Sequence, residues 1–349
     1  MVMSQPVIVE TSLKQLLPHL DVSKLAGKRM FITGGTGFFG LWMLSALSLL
    51  NQQGADIAVT VLSRNPEQFL DTHREWYGLH WLSFIQGNVR NFEYPEARYD
   101  LLIQAASETS AVDYVKPLAF FDDIVLGTRH VLDFAVQSGV KRVLLVSSGA
   151  VYGPQPNDIS HIPEDAHFAC PTDAITSAYG ESKRMMELLG TIYYREYGIE
   201  PVIARCFAFV GPELLLDRHF AIGNFIRDAL YANTIHVSGD GTSQRSYLYM
   251  ADLSVWLLDL LANGTAGFAY NVGSDQSISI AELACLVRDV LAPEKEVVIT
   301  QQPSADGIRH RYIPDISRAR GELELDVWTR LDKAIELTGS YRLSIRGLL

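Results

Sequence analysis

Three closely spaced glycines behind the first apolar run constrain the fold of this chain more than any other feature. Residues 28–33 form a short apolar segment, and the pattern GxxGxxG follows it directly. In such a turn the first glycine permits a tight bend, the second lets the backbone approach a pyrophosphate, and the third lets the next helix pack on the strand. Free amides at the start of that helix then face the phosphates. The pattern predicts dinucleotide binding by Gly34, Thr36, Gly37, Phe38, Phe39 and Gly40.

The order of the predicted elements agrees with this interpretation. Apolar runs that predict strands alternate with stretches that predict helices, the clearest of which are 119–137 and 178–197; the strands are expected at 28–33, 56–62, 82–86, 99–104, 142–147 and 201–207. This alternation is typical of a parallel sheet covered on both faces. We therefore expect an α/β fold, a Rossmann-type doubly wound parallel sheet with a smaller C-terminal α+β substrate domain.

Domain boundaries follow from changes in this pattern. A mostly polar lead, with a helix expected at 11–24, precedes the first strand, and after Gly211-Pro212 helices are joined by short strand-like pieces. We predict an N-terminal helical extension at 1–27, an NAD(P)-binding Rossmann domain at 28–210 and a substrate-binding domain at 211–349. Part of 235–262 is expected to pack back on the Rossmann domain.

The composition excludes several classes of protein. A net charge of −11 without a basic run is a poor match for nucleic-acid backbones. The three cysteines are far apart and no histidine pair has metal-ligand spacing, so we expect neither a disulfide framework nor a metal site. The longest apolar stretch is shorter than the ~18 residues of a membrane span, and the first ten residues lack the features of a signal peptide. We expect a soluble, cytoplasmic protein without nucleic-acid or membrane partners.

The end of the second predicted strand bears on the choice of dinucleotide. Proteins that bind NAD usually place an acidic residue there to hold the ribose hydroxyls. Here the strand runs into Ser63 and Arg64, and an arginine can pair with a 2′-phosphate through charge-assisted hydrogen bonds. The sequence therefore favours NADP(H) as the cofactor, and NAD(H) stays possible. A solvated loop arginine is the alternative interpretation of Arg64.

A tyrosine and a lysine four residues apart predict acid–base chemistry. Tyr179 and Lys183 lie one turn apart on a predicted helix and so share a face. A nearby ammonium favours the phenolate, so we expect the pKa of Tyr179 to move from about 10 towards neutrality. Ser148 directly follows the fifth predicted strand, at the sheet edge where ligands bind in such folds, and its hydroxyl can hold the same substrate oxygen.

These motifs together resemble the extended short-chain dehydrogenase/reductase family, in its nucleotide-sugar epimerase, dehydratase and reductase branch. The resemblance spans about 28–261, with a weaker echo at 312–317. It implies that Tyr179 gives or takes a proton, that Lys183 tunes it and binds the nicotinamide ribose, and that Ser148 orients the substrate. It also implies further cofactor contacts at Asn88, Val89, Ala105, Ala106, Ser107 and Phe207, and substrate contacts at Gly149, Asn224, Arg245 and Arg311. Arg245 looks like the arginine that grips the nucleotide diphosphate, and Arg309 and Arg311 are weaker candidates for that task.

Four positions depart from the family pattern. Gly149-Ala150 stands where family dehydratases carry Asp-Glu and decarboxylases carry a Glu, so elimination or decarboxylation lacks its acid or base. Asn88 replaces an aspartate near adenine, and Ala208 and Ile124 each replace an asparagine.

The resemblance and these departures predict hydride transfer at C4 of a nucleotide-diphosphate hexose. A 4-keto-6-deoxyhexose reductase is the first hypothesis, and a 4-epimerase with tightly bound NAD is the alternative. A dehydratase, a decarboxylase and a non-catalytic cofactor-binding protein rank below both. The family often pairs the helices corresponding to 119–137 and 178–197 between subunits, which suggests a homodimer.

Overall fold

The computed structural model describes residues 5–107, 117–217, 220–302 and 310–345. The strands in chain order are β1 (Arg29–Thr33), β2 (Ala58–Ser63), β3 (Leu82–Gln86), β4 (Leu101–Gln104), β5 (Arg142–Ser148), β6 (Glu200–Cys206), β7 (Phe209–Val210), β8 (Thr234–Val237), β9 (Gln244–Arg245), β10 (Leu248–Tyr249), β11 (Ala269–Val272), β12 (Ile278–Ser279), β13 (Glu296–Ile299) and β14 (Arg311–Tyr312). The helices are α1 (Gln5–Leu16), α2 (Phe38–Gln52), α3 (Pro66–Thr72), α4 (Pro117–Ser138), α5 (Ala178–Tyr197), α6 (Ala221–Tyr231), α7 (Met250–Asn263), α8 (Ile280–Leu291), α9 (Ser317–Leu323) and α10 (Leu331–Ile345).

A parallel sheet forms the centre of the molecule, and the described residues contribute seven strands to it. Its order is β11-β6-β5-β4-β1-β2-β3, and every neighbouring pair is parallel. All four residues of β4 are buried, as expected for a strand covered on both faces. The strand order reverses between β1 and β4, and ligands of such sheets bind at the carboxyl ends of the strands at that switch point. The fold confirms the predicted Rossmann-type α/β architecture.

Two layers of helices cover this sheet. On one face α1, α2 and α7 pack against one another, and their side chains belong to the largest apolar core. On the other face α4 packs along α5, and both contribute to a second core that includes Phe31, Leu102 and Leu145. The two long helices therefore fix one wall of the crevice above the switch point.

The C-terminal part of the chain does not stand wholly apart from the sheet. α7, at residues 250–263, packs against α2, β5 and β6. β11 pairs with β6 and so extends the Rossmann sheet, although the sequence analysis placed residues 269–272 in the substrate domain. The domain boundary expected at residue 211 therefore differs from the structure. The apolar helix α7 and the strand β11 both follow residue 211 in sequence, yet they complete the core of the Rossmann domain.

The rest of the C-terminal segment builds a smaller unit beside the carboxyl edge of the sheet. It contains a three-stranded sheet of order β12-β9-β14, a β8–β13 pair, and α6 packed on α8. The expected lead helix at 11–24 is instead α1 followed by two short 3₁₀ turns, so the helix lies earlier than predicted. Within the described ranges, no helix is both long and apolar enough to cross a bilayer.

Candidate active site

The glycine turn between β1 and α2 is shaped by close backbone contacts. Gly34 has a φ of +73°, and a Cβ there would lie 2.6 Å from the carbonyl carbon of Ala105. A Cβ at Gly40 would lie 2.3 Å from the carbonyl carbon of Gly35. The packing of the protein therefore requires glycine at both positions. A side chain at residue 34 would push the glycine turn away from the end of β4, and one at residue 40 would push α2 away from the turn.

Gly37 differs from the other two glycines because it is not crowded. The nearest atom to a Cβ built there is the carbonyl oxygen of Gly34 at 3.4 Å. Gly37 is the N-cap of α2, and it provides no side-chain cap for the first turn of that helix. Uncapped amides at a helix N-terminus, behind an open backbone surface, fit a pyrophosphate. The turn, with Thr36, Phe38 and Phe39, thus has the form that a dinucleotide needs.

The neighbouring strand ends lie along the same edge. Ser63 ends β2 with its side chain buried, and the exposed Arg64 follows it. Asn88, just after β3, accepts a hydrogen bond from the Arg90 amide at 3.0 Å through its side-chain oxygen. Val89 packs on α4, where a Cβ at Gly127 would lie 2.7 Å from one of its methyl groups. These residues surround the outer part of the crevice, where the predicted adenosine half of a dinucleotide belongs.

The end of β4 joins the glycine turn to the catalytic residues. The amides of Ala105 and Ala106 both donate hydrogen bonds to the Thr33 hydroxyl, at 3.2 and 3.1 Å. The hydroxyl of Ser107 acts to lower the pKa of the Tyr179 phenol. The three residues that the resemblance assigned to the cofactor therefore stand between the phosphate turn and Tyr179.

The first turns of α5 carry Tyr179 and Lys183 into this crevice. Lys183 is 2% exposed, and its Nζ donates a hydrogen bond to the Val146 carbonyl at 2.8 Å. The same Nζ lies 5.9 Å from the centre of the Tyr179 ring. α5 approaches this closely because residue 180 is glycine: a Cβ there would lie 2.6 Å from the Ala150 carbonyl oxygen.

Ser148 is placed to donate a hydrogen bond into the crevice. It ends β5, and its oxygen accepts a hydrogen bond from the Ala150 amide at 3.2 Å. The hydroxyl proton is then available for another acceptor. The Ser148 hydroxyl also acts on Tyr179, where it lowers the pKa of the phenol. The structure thus brings Ser148, Tyr179 and Lys183 together.

The protonation of this group differs from the sequence-based expectation. Burial raises the pKa of Tyr179 to about 12, and this effect exceeds the opposing effect of the two serine hydroxyls. Burial also lowers the pKa of Lys183 to about 8. The expected lowering of the Tyr179 pKa by the ammonium is therefore wrong for this structure, because desolvation outweighs the other influences on the phenol. Tyr179 holds its proton at neutral pH.

A partly buried ion pair behind the site was not singled out from the sequence. Arg205 of β6 donates hydrogen bonds to Glu187 of α5 at 3.1 and 2.8 Å, and Ser147 donates to Glu187 at 2.6 Å. Arg205 also donates to the Tyr152 hydroxyl at 2.7 Å. The sequence offered one signal of this pair, which is the charged Arg205 within an otherwise apolar strand. The pair ties α5 to β5 and β6, and so fixes Tyr179 relative to Ser148.

A cleft of about 560 Å³ lies on the C-terminal side of the site, lined by Pro154, Gln155, Pro156, Asn157, Arg245, His310, Arg311 and Tyr312. Arg245 donates hydrogen bonds to the carbonyls of Gln244 and His310, and Arg311 donates to the carbonyl of Asn157. Neither arginine forms an ion pair with a carboxylate among the described residues. The two guanidinium groups can therefore bind an anion.

The remaining predicted residues are distributed differently. Phe207 and Gly149 lie together beside Tyr312, since a Cβ at Gly149 would lie 2.7 Å from the Phe207 ring. Asn224 is on α6, where its side-chain oxygen accepts a hydrogen bond from Arg227 at 3.2 Å, and it does not line the cleft. Arg309 lies outside the described residues. Within those residues, no cluster of three or more potential metal ligands occurs.

Comparisons with known proteins agree with this geometry. The model of the NAD dependent epimerase/dehydratase family matches residues 30–273, well over half of the chain. The chain is 28% identical over 311 residues to UDP-glucuronic acid decarboxylase 6 of Arabidopsis thaliana, which covers 88% of this chain and 87% of the relative.

Solved structures show the same fold. A UDP-N-acetylglucosamine 4-epimerase from Methanobrevibacter ruminantium matches with a TM-score of 0.78 at 21% identity, over 92% of this chain and 99% of that one. A dTDP-glucose 4,6-dehydratase from Streptomyces venezuelae, with NAD bound, matches with a TM-score of 0.76 at 25% identity, over 91% and 98%. The chain belongs to the NAD dependent epimerase/dehydratase family, and it is an enzyme of that type.

Proposed function

We propose that this enzyme reduces the C4 carbonyl of a nucleotide-diphosphate 4-keto-6-deoxyhexose. One observation carries the proposal: the site joins Ser148, Tyr179 and Lys183 but has Gly149-Ala150 beside Ser148, where a dehydratase or decarboxylase needs a carboxylate. Proton transfer at a carbinol oxygen needs only the three residues that are present. Water elimination and decarboxylation need the acid that is missing.

The protonated state of Tyr179 suits reduction. Its phenol carries a proton at neutral pH because burial holds the pKa at about 12. When bound, NADPH supplies a hydride to the carbonyl carbon. The electron pair of the C=O π bond then moves to the oxygen, which takes the proton from Tyr179. Lys183 stabilises the resulting tyrosinate by its positive charge, and solvent returns the proton to the phenol.

Ser148 and the two arginines give the substrate its orientation. The Ser148 hydroxyl has its own oxygen engaged by the Ala150 amide, so it donates to the carbonyl oxygen of the sugar. Arg245 and Arg311 bind the diphosphate in the cleft through charge-assisted hydrogen bonds. This local positive charge accounts for how a chain with net charge −11 can bind a doubly phosphorylated ligand.

Arg64 supports NADP(H) as the cofactor. It is exposed at the carboxyl end of β2, next to the buried Ser63, and no acidic residue stands at that position. A guanidinium there can pair with a 2′-phosphate.

A 4-epimerase that retains its cofactor is the second candidate. The family includes epimerases as well as dehydratases, and an epimerase uses the same serine, tyrosine and lysine. It first oxidises C4, which requires Tyr179 as a base, and then reduces the opposite face of the sugar.

The purified protein distinguishes the two candidates. Denaturation followed by extraction and quantification gives the amount of bound dinucleotide, and a panel of UDP-, dTDP-, GDP- and CDP-linked 4-keto sugars is tested with NADPH. We expect little bound cofactor, and NADPH consumed in proportion to product. Stoichiometric NAD with interconversion of C4 epimers identifies the epimerase instead. Tight cofactor binding with no hydride exchange on any sugar rejects both.

A further inference from the structure

The two-stranded sheet of β7 and β10 joins the Rossmann sheet to the smaller C-terminal unit. The two strands are parallel, with Tyr249 opposite Val210. β7 continues through residues 211–217, which we call the crossing loop, towards α6 of the smaller unit. β10 follows β9, which carries Arg245 into the C-terminal cleft. The position of this pair of strands therefore determines where Arg245 lies relative to the main sheet.

One face of α2, the helix that follows the glycine turn, packs against this pair of strands. The Phe39 ring, in the first turn of α2, meets the Phe209 ring edge-on with 5.1 Å between the ring centres. Trp42 lies three residues later on the same face, and its ring meets the Tyr249 ring edge-on at 5.6 Å. Trp42 Nε1 also donates a hydrogen bond to the Pro212 carbonyl at 3.0 Å. Trp42 therefore contacts both β10 and the crossing loop.

The crossing loop holds a strained backbone conformation. Glu213 has a φ of +71°, in the left-handed region that residues with a side chain rarely adopt. Its carboxylate accepts a hydrogen bond from the Tyr341 hydroxyl of α10, and Arg342 of the same helix donates to the Leu214 carbonyl. A strained conformation of this kind persists where the surrounding structure imposes it. The loop is therefore held between α2 and α10, and its backbone can relax when either support is withdrawn.

Trp42 also lies close along α2 to the amides that face the predicted pyrophosphate. α2 begins at Phe38, and its N-cap Gly37 provides no side-chain hydrogen bond to the first turn. Phosphate oxygens that accept hydrogen bonds from these amides hold the first turn in place. The Trp42 indole and Pro212 are buried, so a shift that separated them would leave two polar groups unpaired. A displacement of α2 is therefore transmitted to the crossing loop.

We infer that Trp42 is a positioning residue that couples the dinucleotide site to the site of the substrate diphosphate. A dinucleotide on the glycine turn fixes α2, Trp42 then holds β10 and the crossing loop against α2, and β10 places Arg245 for the diphosphate. Occupation of either site raises the affinity of the other, because such coupling is reciprocal. The inference rests on the proposed nucleotide-sugar substrate, and it gives a role to a side chain outside both the glycine pattern and the catalytic group.

The test measures the affinity for a nucleoside diphosphate with and without a bound dinucleotide. The full chain is freed of any copurified dinucleotide with charcoal. Calorimetry then titrates it with UDP, dTDP, GDP and CDP, in the absence and in the presence of saturating NADP⁺ or NAD⁺. These diphosphates lack the sugar that would meet the nicotinamide ring, so any coupling between the two ligands has to pass through the protein.

Two tryptophan variants are compared with the wild type. Trp42→Phe keeps an aromatic ring beside Tyr249 and removes the donor to the Pro212 carbonyl. Trp256→Phe is the matched control, because Trp256 is equally buried and its Nε1 donates to the Asp326 carbonyl at the same distance of 3.0 Å. That hydrogen bond joins α7 to the segment between α9 and α10, and not to the crossing loop.

We expect bound dinucleotide to raise the diphosphate affinity of the wild type and of Trp256→Phe by about 5- to 150-fold, and that of Trp42→Phe by less than about threefold. Phe209→Leu, which removes the ring that meets Phe39, should lower this factor as well, and it decides the question if Trp42→Phe does not fold.

Three results overturn the inference: a wild type whose diphosphate binding is absent or does not respond to the dinucleotide, a factor that Trp42→Phe leaves unchanged, and a factor that both tryptophan variants reduce equally. Coupling that depends on Trp42, in a protein that reduces no 4-keto sugar, leaves the inference intact and rejects the proposed reaction, because the binding readout does not depend on turnover.

Discussion

At the scale of single residues, burial sets the protonation of the two central groups in opposite senses. Tyr179 keeps its proton because desolvation raises the pKa of the phenol to about 12, and Lys183 loses affinity for its proton because desolvation lowers the pKa of the amine to about 8. Both shifts follow from withdrawing a charge from water. At neutral pH the site therefore contains a protonated phenol next to an ammonium group that gives up its proton more easily than an ordinary lysine does.

Removal of the Tyr179 hydroxyl tests its role as the acid. General acid catalysis contributes about 10²–10⁴-fold, so Tyr179→Phe should lose at least about 100-fold in kcat. Dinucleotide affinity, measured by fluorescence titration, should stay within about twofold, since the ring is kept. Near-normal turnover in this variant rejects Tyr179 as the proton donor.

The pKa of Lys183 predicts a dependence of stability on pH. Its folded pKa of about 8 lies below the ordinary value of 10.5, so between these values the unfolded state binds a proton that the folded state has lost. Unfolding free energy then rises with pH in this window, and burial of the charge costs most below pH 8. Relative to Lys183→Met, the wild type should become more stable as the pH rises from 8 to 10. Thermal denaturation of both proteins measures this, and a difference that is flat from pH 7 to 10 contradicts it.

Arg64 offers a test of cofactor choice. A charge-assisted hydrogen bond contributes about 1.5–3 kcal/mol, so Arg64→Ala should weaken NADP⁺ binding by about 10- to 100-fold. NAD⁺ lacks the 2′-phosphate, and its affinity should change little. Calorimetric titration with both dinucleotides gives the ratio, and equal effects on the two remove the basis for NADP preference.

At the scale of elements, the junction of β1, β4 and α2 depends on backbone contact and tolerates no side chain. Gly34 combines a positive φ with a distance of 2.6 Å from a built Cβ to the Ala105 carbonyl carbon. Gly54 also has a positive φ, of +90°, but a Cβ there meets nothing within 4 Å. A substitution at Gly54 therefore tests the cost of the positive φ alone, whereas one at Gly34 adds steric overlap to that cost.

Substitution of each glycine by alanine makes use of this difference. Gly54→Ala should cost about 1–2 kcal/mol in stability from the left-handed backbone alone, with dinucleotide affinity unchanged. Gly34→Ala should cost roughly 1–3 kcal/mol more and abolish dinucleotide binding, because the loop must move away from β4. Thermal denaturation and dinucleotide titration measure the two effects, and similar results for both variants contradict the assignment of the turn.

At the scale of the whole molecule, α4 and α5 leave apolar side chains on the surface. Leu118 and Leu126 of α4 are 72% and 50% exposed, and Met185, Leu188 and Ile192 of α5 are 38%, 50% and 37% exposed. Positions 185, 188 and 192 share one face of the helix. Such a patch is typical of an association surface, and it lies on the helices expected to pair in a homodimer.

A charge in this patch tests the predicted dimer. Leu188→Arg should convert a dimer to a monomer in light scattering at micromolar concentration, because it places a charge in an apolar interface. Ile299→Arg is the matched control, since Ile299 is 45% exposed on β13, away from these helices. A monomeric wild type, or a dimer that survives Leu188→Arg, removes this interface.

The sequence by itself determined the local elements of the site. The glycine turn is typical of a strand followed by a helix. Tyr179 and Lys183 share a face of their helix wherever that helix lies in the fold, because residues four apart are neighbours on a helix surface. Bounds such as Leu82–Gln86 and Ala178–Tyr197 agree with the prediction for the same reason.

Only the tertiary structure decided what these residues meet. The pKa of Tyr179 depends on burial by the surrounding chain, and the Glu187–Arg205 pair joins residues 18 apart in sequence. Tyr312 reaches Gly149 from a strand that lies far further along the chain. β11 joined the main sheet although it follows the expected boundary. Desolvation and long-range pairing depend on the packing of the whole chain, and no local pattern encodes them.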